Sequence, residues 1–151
     1  MKRHFQFEGL GVEGIKHQPQ KGLEISPYAV EQFNLNLDLF VHTCKLIGAK
    51  PILFTQPRLI NKNNSKEEQK KILYSFQRLD HDKICEAYDI IDSLIINYPQ
   101  KDSIVVSHDF AKQFIGIDSL YVDHLHLNST GNEVMSTSLA SYLEKLIFLN
   151  N

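Results

Sequence analysis

The chain has 151 residues, of which 42% are apolar and 23% charged, with 16 Lys and Arg against 18 Asp and Glu. That length is the size of one domain and that composition too apolar for a disordered chain. A formal net charge of −2 and a pI near 6.4 argue against a general nucleic-acid binder, and no apolar run reaches the length of a membrane span. Met1, Lys2 and Arg3 carry no apolar signal core behind them, so the cytoplasm is the default location. Two cysteines, Cys44 and Cys85, are too few for a disulfide scaffold or a zinc site of their own.

Residues 1–25 read as an irregular segment, with a weak strand at 5–7 and with Gly9, Gly11, Gly14, Pro19 and Gly22 breaking any period. Gly9, Gly11 and Gly14 match the letters of a dinucleotide fingerprint. No helix pattern opens behind them to face a pyrophosphate, so the match is accidental. Residues 26–151 carry clear element signals and read as the C-terminal part of an α/β domain. Ser26 and Pro27 are a cap and first position for a helix whose stripe runs through Val30, Phe33, Leu37, Val41, Cys44 and Ile47 and ends at Gly48. Leu35, Leu39 and Leu46 widen that surface, so the helix should be largely covered, with Cys44 as a small buried hydrophobe against the sheet.

Residues 51–55 (Pro-Ile-Leu-Phe-Thr) are a continuous apolar run that suits a buried parallel strand. After the polar loop of Asn61, Lys62, Asn63 and Asn64, the run from Ser65 to Glu68 reads as a capping box opening a helix with Ile72, Phe76 and Leu79 on its stripe. A second stripe, Ile84, Tyr88, Ile91 and Ile95, is out of phase with the first, which places a kink or junction at Asp80, His81 and Asp82. Residues 103–107 (Ser-Ile-Val-Val-Ser) read as a second strand, and Met135, Leu139, Tyr142, Leu146 and Leu149 as the stripe of a last helix. Strands alternating with helices point to an α/β layer structure with a parallel sheet and right-handed crossovers. Two strands are few for three amphipathic helices, so the sheet is expected to be part of a larger one.

Chemistry gathers between Tyr121 and Glu133, in the loop that follows the second strand and should emerge at the carboxyl end of the sheet. Asp123 and His126, three apart in a tight turn, can bring a carboxylate to an imidazole Nδ1–H. That contact fixes the tautomer and leaves Nε2 to take a proton from a nucleophile. Asn128 or Thr130 would cap the last helix, with Glu133 completing a box with Thr130. His124 and His126 also alternate in a way that lets both face one ion beside Asp123, a metal-dependent hydrolase as an alternative, with His42, His81 or His108 as third ligand. His42 and His81 otherwise read as solvated or satisfied helix-side residues. Ser107, His108 and Asp109 contain triad letters, but neighbours on a strand end point apart.

Asp123-x-x-His126, followed by Leu127, Asn128, Gly131 and Asn132 and an amphipathic helix, resembles the last block of the SGNH (GDSL-type) hydrolases. The helix from Tyr28 with Asn34 and Leu35, closing at Gly48 and passing into 52–57, is similar to the helix and strand before that family's long middle loop. The resemblance covers roughly 27–149. It implies a three-layer α/β/α sandwich with a short parallel sheet, SGNH or flavodoxin-like. It also implies a serine ester hydrolase in which Asp123 orients His126 and His126 is the general base, with acyl or acetyl esters of carbohydrates, lipids or small molecules as substrates and no cofactor. The family's Gly-Asp-Ser block, its oxyanion-hole Gly and its Gly-x-Asn-Asp block have no counterpart in these residues. The expectation is therefore an incomplete domain, the C-terminal part of such a hydrolase, inactive alone and prone to self-association or to pairing with an N-terminal segment. A non-catalytic α/β interaction domain is the competing class.

Overall fold

A computed structural model describes residues 24–74 and 79–149. The irregular segment, its glycine motif and its weak strand fall outside the described residues up to position 23.

Helix α1 (Pro27–Leu46) starts where the sequence places it: the Ser26 hydroxyl accepts from the Ala29 N–H at 3.4 Å and Pro27 occupies the first turn. It closes on Gly48, whose φ of 72° is a left-handed position that glycine adopts without a Cβ penalty, and the Ala49 N–H returns to the Cys44 carbonyl at 2.8 Å. One stripe is packed, with Val41 buried and Phe33 and Leu37 against it. The wider cover expected of this helix is absent among the described residues: Leu35, Leu39, Phe40 and Leu46 are exposed, and Cys44 is half-buried rather than buried. Apolar letters two residues apart on a helix point to different sides, and only one side here meets a partner.

Strand β1 (Ile52–Phe54) pairs in parallel with β2 (Val106–His108), Ile52 opposite Val106 and Phe54 opposite His108. The second strand lies later than 103–107. Asp102 captures the Ile104 N–H on its side chain at 3.2 Å and the Val105 N–H on its carbonyl at 3.1 Å, which turns 103–104 out of the sheet. Local capture by an aspartate overrides a β-branched run.

The capping box at Ser65 and Glu68 is formed in both directions, at 3.2 and 2.6 Å, yet α2 (Lys66–Gln69) is a single turn. Lys70, Lys71 and Ile72 donate to carbonyls three residues back, the tight pattern of a helix end, after which Ile72 and Tyr74 are fully buried. Phe76 lies outside the described residues. The junction is real: Asp80 caps α3 (His81–Asn97), accepting from the Lys83 N–H at 2.9 Å. Its Cys85 is buried, and both cysteines are free thiols. Helix α4 (Ser129–Leu149) closes the described chain.

Successive strand residues serve different helices. Leu53 packs with Val41 of α1, Ile95 of α3, Tyr98 and Val105. Phe54 packs against the cluster of Leu59, Phe110, Phe114, Leu120 and Tyr121, which Met135 and Leu139 of α4 also cover, and its ring meets Tyr142 of α4 edge-on. The fold is thus a helix-rich α/β structure around a two-stranded parallel sheet. Among the described residues no helix is long and apolar enough to cross a membrane.

Candidate active site

The chain leaves β2 through short 3₁₀ turns at Ala111–Gln113 and Asp118–Leu120 and then folds back on itself. Tyr121 bridges Leu127 in antiparallel fashion, the Val122 N–H donates to the His126 carbonyl at 2.8 Å, and the Asn128 N–H donates to the Leu120 carbonyl at 2.9 Å. Asp123 stands at the bend. Its Oδ1 accepts from the N–H groups of Leu125 and His126, both at 2.8 Å, and its Oδ2 lies 2.8 Å from His126 Nδ1. An aspartate bonding the backbone two and three residues on is the ordinary way such a turn is held. Here the same carboxylate also fixes an imidazole.

Burial works to raise the Asp123 pKa, but the His126 and Leu125 N–H groups, and then the His126 imidazole, outweigh it and hold the carboxyl below its usual range. Asp123 is therefore ionised at neutral pH and keeps the proton of neutral His126 on Nδ1. The Nε2 lone pair of His126 is left on a side chain 73% exposed. Among the described residues no hydroxyl or thiol hydrogen-bonds His126. The pair is an oriented imidazole whose second nitrogen faces outward.

His124 has the opposite environment. It is 3% exposed, its Nδ1 accepts from the Leu73 N–H at 3.4 Å, and its carbonyl accepts from the Leu59 N–H at 3.0 Å. Burial lowers its pKa, with Asp123 pulling the other way, so the ring is neutral with its proton on Nε2. The alternation argument for a shared metal fails because residues 122–125 bend and are not extended, which sends one ring inward and the other out. Among the described residues no group of three His, Cys, Asp or Glu side chains is placed to hold a metal ion.

The helix behind the turn is capped by Asn128, whose Oδ1 accepts from the Gly131 N–H at 2.9 Å while its Nδ2 donates to the Ser119 carbonyl at 2.7 Å. Thr130 lies inside the helix and makes no box with Glu133; the earlier residue took the cap. Gly131 is required for packing: a Cβ there would overlap the Leu120 carbonyl oxygen and meet Leu127 Cδ2 at 2.9 Å. Ser107, His108 and Asp109 scatter as their adjacency demands. Ser107 donates to the Ile96 carbonyl, His108 stacks on Tyr142 with centroids 4.1 Å apart, and Asp109 accepts from Thr55. His42 is exposed, and His81 is satisfied between the Tyr74 hydroxyl and the Asn61 carbonyl.

Sequence reasoning passed over Arg58. It sits just beyond β1, buried, with Nη2 2.8 Å from Asp92 Oδ2 and its guanidinium 4.4 Å from the Tyr88 ring centroid. The available signal was a lone arginine directly after an apolar strand and Pro57. Comparison of the chain with models of protein families, with curated proteins and with solved structures finds no match.

Proposed function

We propose that this chain carries the acid–base half of an SGNH-type serine ester hydrolase. Asp123 orients the imidazole, and His126 Nε2 takes the proton of a serine hydroxyl as it attacks an acyl carbon, then returns it to the departing alcohol. Water activated by the same nitrogen would release the acyl group. The observation that supports this reading is the 2.8 Å contact between Asp123 Oδ2 and His126 Nδ1, on a turn locked by two further bonds to the same carboxylate. Preorganisation of that kind is what general-base chemistry needs. In this reading α1 and α3 on one side of β1 and β2, and α4 on the other, are the layers of a three-layer α/β/α sandwich. The serine and the oxyanion-hole groups stand in none of the family's blocks in these 151 residues, so the reading assigns them to polypeptide outside this sequence.

The test is hydrolysis of p-nitrophenyl acetate by the chain alone and by the polypeptide joined to whatever coding sequence lies upstream of it. The chain alone should give only the background rate of an exposed imidazole, because in this reading the groups that stabilise the tetrahedral intermediate lie in other polypeptide. A Gly-Asp-Ser-bearing longer polypeptide should turn over and lose activity on His126→Ala. Activity of the longer polypeptide that survives His126→Ala would overturn the proposal. The exposed apolar residues of α1 favour the second reading, an interaction domain, which the same His126→Ala comparison separates.

A further inference from the structure

A cavity of about 650 Å³ opens at the carboxyl end of the sheet, between the segment that leaves β1 and the one that leaves β2. Arg58 contributes to it from the first segment and Asp109 from the second, with Asp92 of α3 beside them. In parallel α/β sheets this crevice is where ligands bind, and the volume is that of a small-molecule site. The strap bearing Arg58 is tied on one flank to the candidate active site by the Leu59 N–H to His124 carbonyl bond, and on the other to Gly116, whose N–H donates to the Arg58 carbonyl at 3.1 Å.

The chemistry of the wall narrows the ligand. Two cations, Arg58 and Lys112, stand against four carboxylates, Glu68, Asp89, Asp92 and Asp109, a balance that repels phosphates and other anions. A free cation fits poorly as well, because three of the four carboxylates are already committed and Asp109 has given one oxygen to Thr55, which leaves too few to surround a cation. Asp92 holds Arg58, Asp89 holds Lys62, Glu68 closes the box on Ser65, and Asp109 accepts from Thr55. A metal ion would need ligands converging on one point, and no such group exists among the described residues. Ile115 and Gly116 are the only apolar residues lining the cavity among those described, which leaves little for an acyl chain to cover.

What remains is a dense alternation of donors and acceptors. Asn61 and Asn63 add amides, and among the described residues neither the Asn63 side chain nor the Lys112 ammonium has a hydrogen-bond partner. The buried pair at the back is itself unfinished: Arg58, 5% exposed at its side chain, keeps Nε unpaired, and Asp92 keeps Oδ1 unpaired. A buried ion pair is a poor device for stability alone, and unsatisfied buried polar atoms are rare enough to require a reason. Hydroxyl groups both donate and accept, and vicinal diols suit carboxylates and amides spaced along a wall.

We propose that this cavity is a binding site for a neutral polyhydroxylated ligand of the carbohydrate class, with Asn61, Asn63, Asp109 and Lys112 hydrogen-bonding its hydroxyls in front of the Arg58–Asp92 pair. The inference does not depend on the hydrolase reading, since it concerns binding and requires no nucleophile. The test is a titration of the ¹⁵N-labelled chain, followed by amide shifts, with cellobiose, sucrose and maltose as neutral probes and with glucose 6-phosphate, spermidine and calcium chloride as charged ones. At least one neutral disaccharide should shift the backbone amides of Asn61, Asn63, Lys112 and Gly116 saturably, with a dissociation constant in the millimolar range typical of weak polar sites. Asn63→Ala and Lys112→Met, both at exposed positions, should each weaken that binding about five-fold, the loss of one net hydrogen bond, while leaving the thermal midpoint unchanged. The inference is overturned if no neutral probe shifts those amides up to about 50 mM. It is equally overturned if both variants bind as the parent does, or if spermidine, calcium or the sugar phosphate binds there in place of the neutral sugars.

Discussion

The turn between Leu120 and Asn128 and the outer side of α1 stand at opposite extremes of the same molecule. In the turn a single carboxylate takes three hydrogen bonds from residues two and three positions on, and further bonds tie the turn to Ser119, Leu59 and Leu73. On α1, Leu35, Leu39, Phe40 and Leu46 form an apolar surface with nothing over it among the described residues. The turn's polar groups are met by hydrogen bonds within the described chain; the outer side of the helix is finished only by something it packs against. Local polar chemistry therefore gives a rigid, interpretable site, while an apolar face states a need without stating what meets it.

The sharpest way to break the comparison is to disturb the turn by one methyl group. Gly131→Ala drives a Cβ into the Leu120 carbonyl oxygen, a backbone atom that cannot swing aside, and should cost about 3 kcal/mol in urea denaturation. A parent-like midpoint would mean that α4 and the turn are not packed as described. Next comes the cap. Asn128→Ala removes the acceptor of the Gly131 N–H and the donor to the Ser119 carbonyl, and should cost about 1 kcal/mol, against a few tenths for Asn128→Asp, which keeps the acceptor.

Acid should act on the turn as well. Burial holds the His124 pKa below its usual 6.5, so the folded state favours the neutral ring. The stability this supplies is full above that value and is lost as pH falls through the lowered one. Asp123, also lowered, adds a second loss below its ordinary 3.8, as its carboxylate is protonated. Unfolding midpoints at pH 7 should therefore exceed those at pH 5, and His124→Asn, with no ring to titrate, should flatten that difference. The smallest effect is expected on the other side of the comparison. Leu39→Gln on α1 should change stability by no more than about 0.5 kcal/mol, since the side chain is already in water. A larger loss would reveal a covering partner that the helix meets in solution.

The same contrast explains what the sequence made legible. Ser26 and Pro27, the Ser65 box, the junction at Asp80 and the Asp123–His126 pair all announce themselves, because caps and turns use a few residue types at short spacing. The errors arose where one local bond outcompeted a pattern. Asp102 moves the start of β2, Asn128, one of the two expected caps, leaves Glu133 without its box with Thr130, and α2 stops after one turn despite its expected start. The shared-metal alternative needs an extended chain at His124 and His126, and the Asp123 carboxylate bends this one, so His124 is buried while His126 stays outside. Arg58 and Asp92 were invisible as a pair because they meet only after β1 and α3 have packed.

The central claim is that Asp123 fixes His126 with its proton on Nδ1 and its base nitrogen free, and the imidazole ¹⁵N resonances test it most directly. In long-range ¹H–¹⁵N spectra at a pH where both rings are neutral, His126 should be the Nδ1–H tautomer, while His124, accepting from Leu73 at Nδ1, should be the Nε2–H tautomer. Asp123→Ala should return His126 toward the Nε2–H form that free imidazole side chains prefer, leaving the His124 resonances nearly in place. Finding His126 as the Nε2–H tautomer in the parent, or unchanged in Asp123→Ala, would contradict the account.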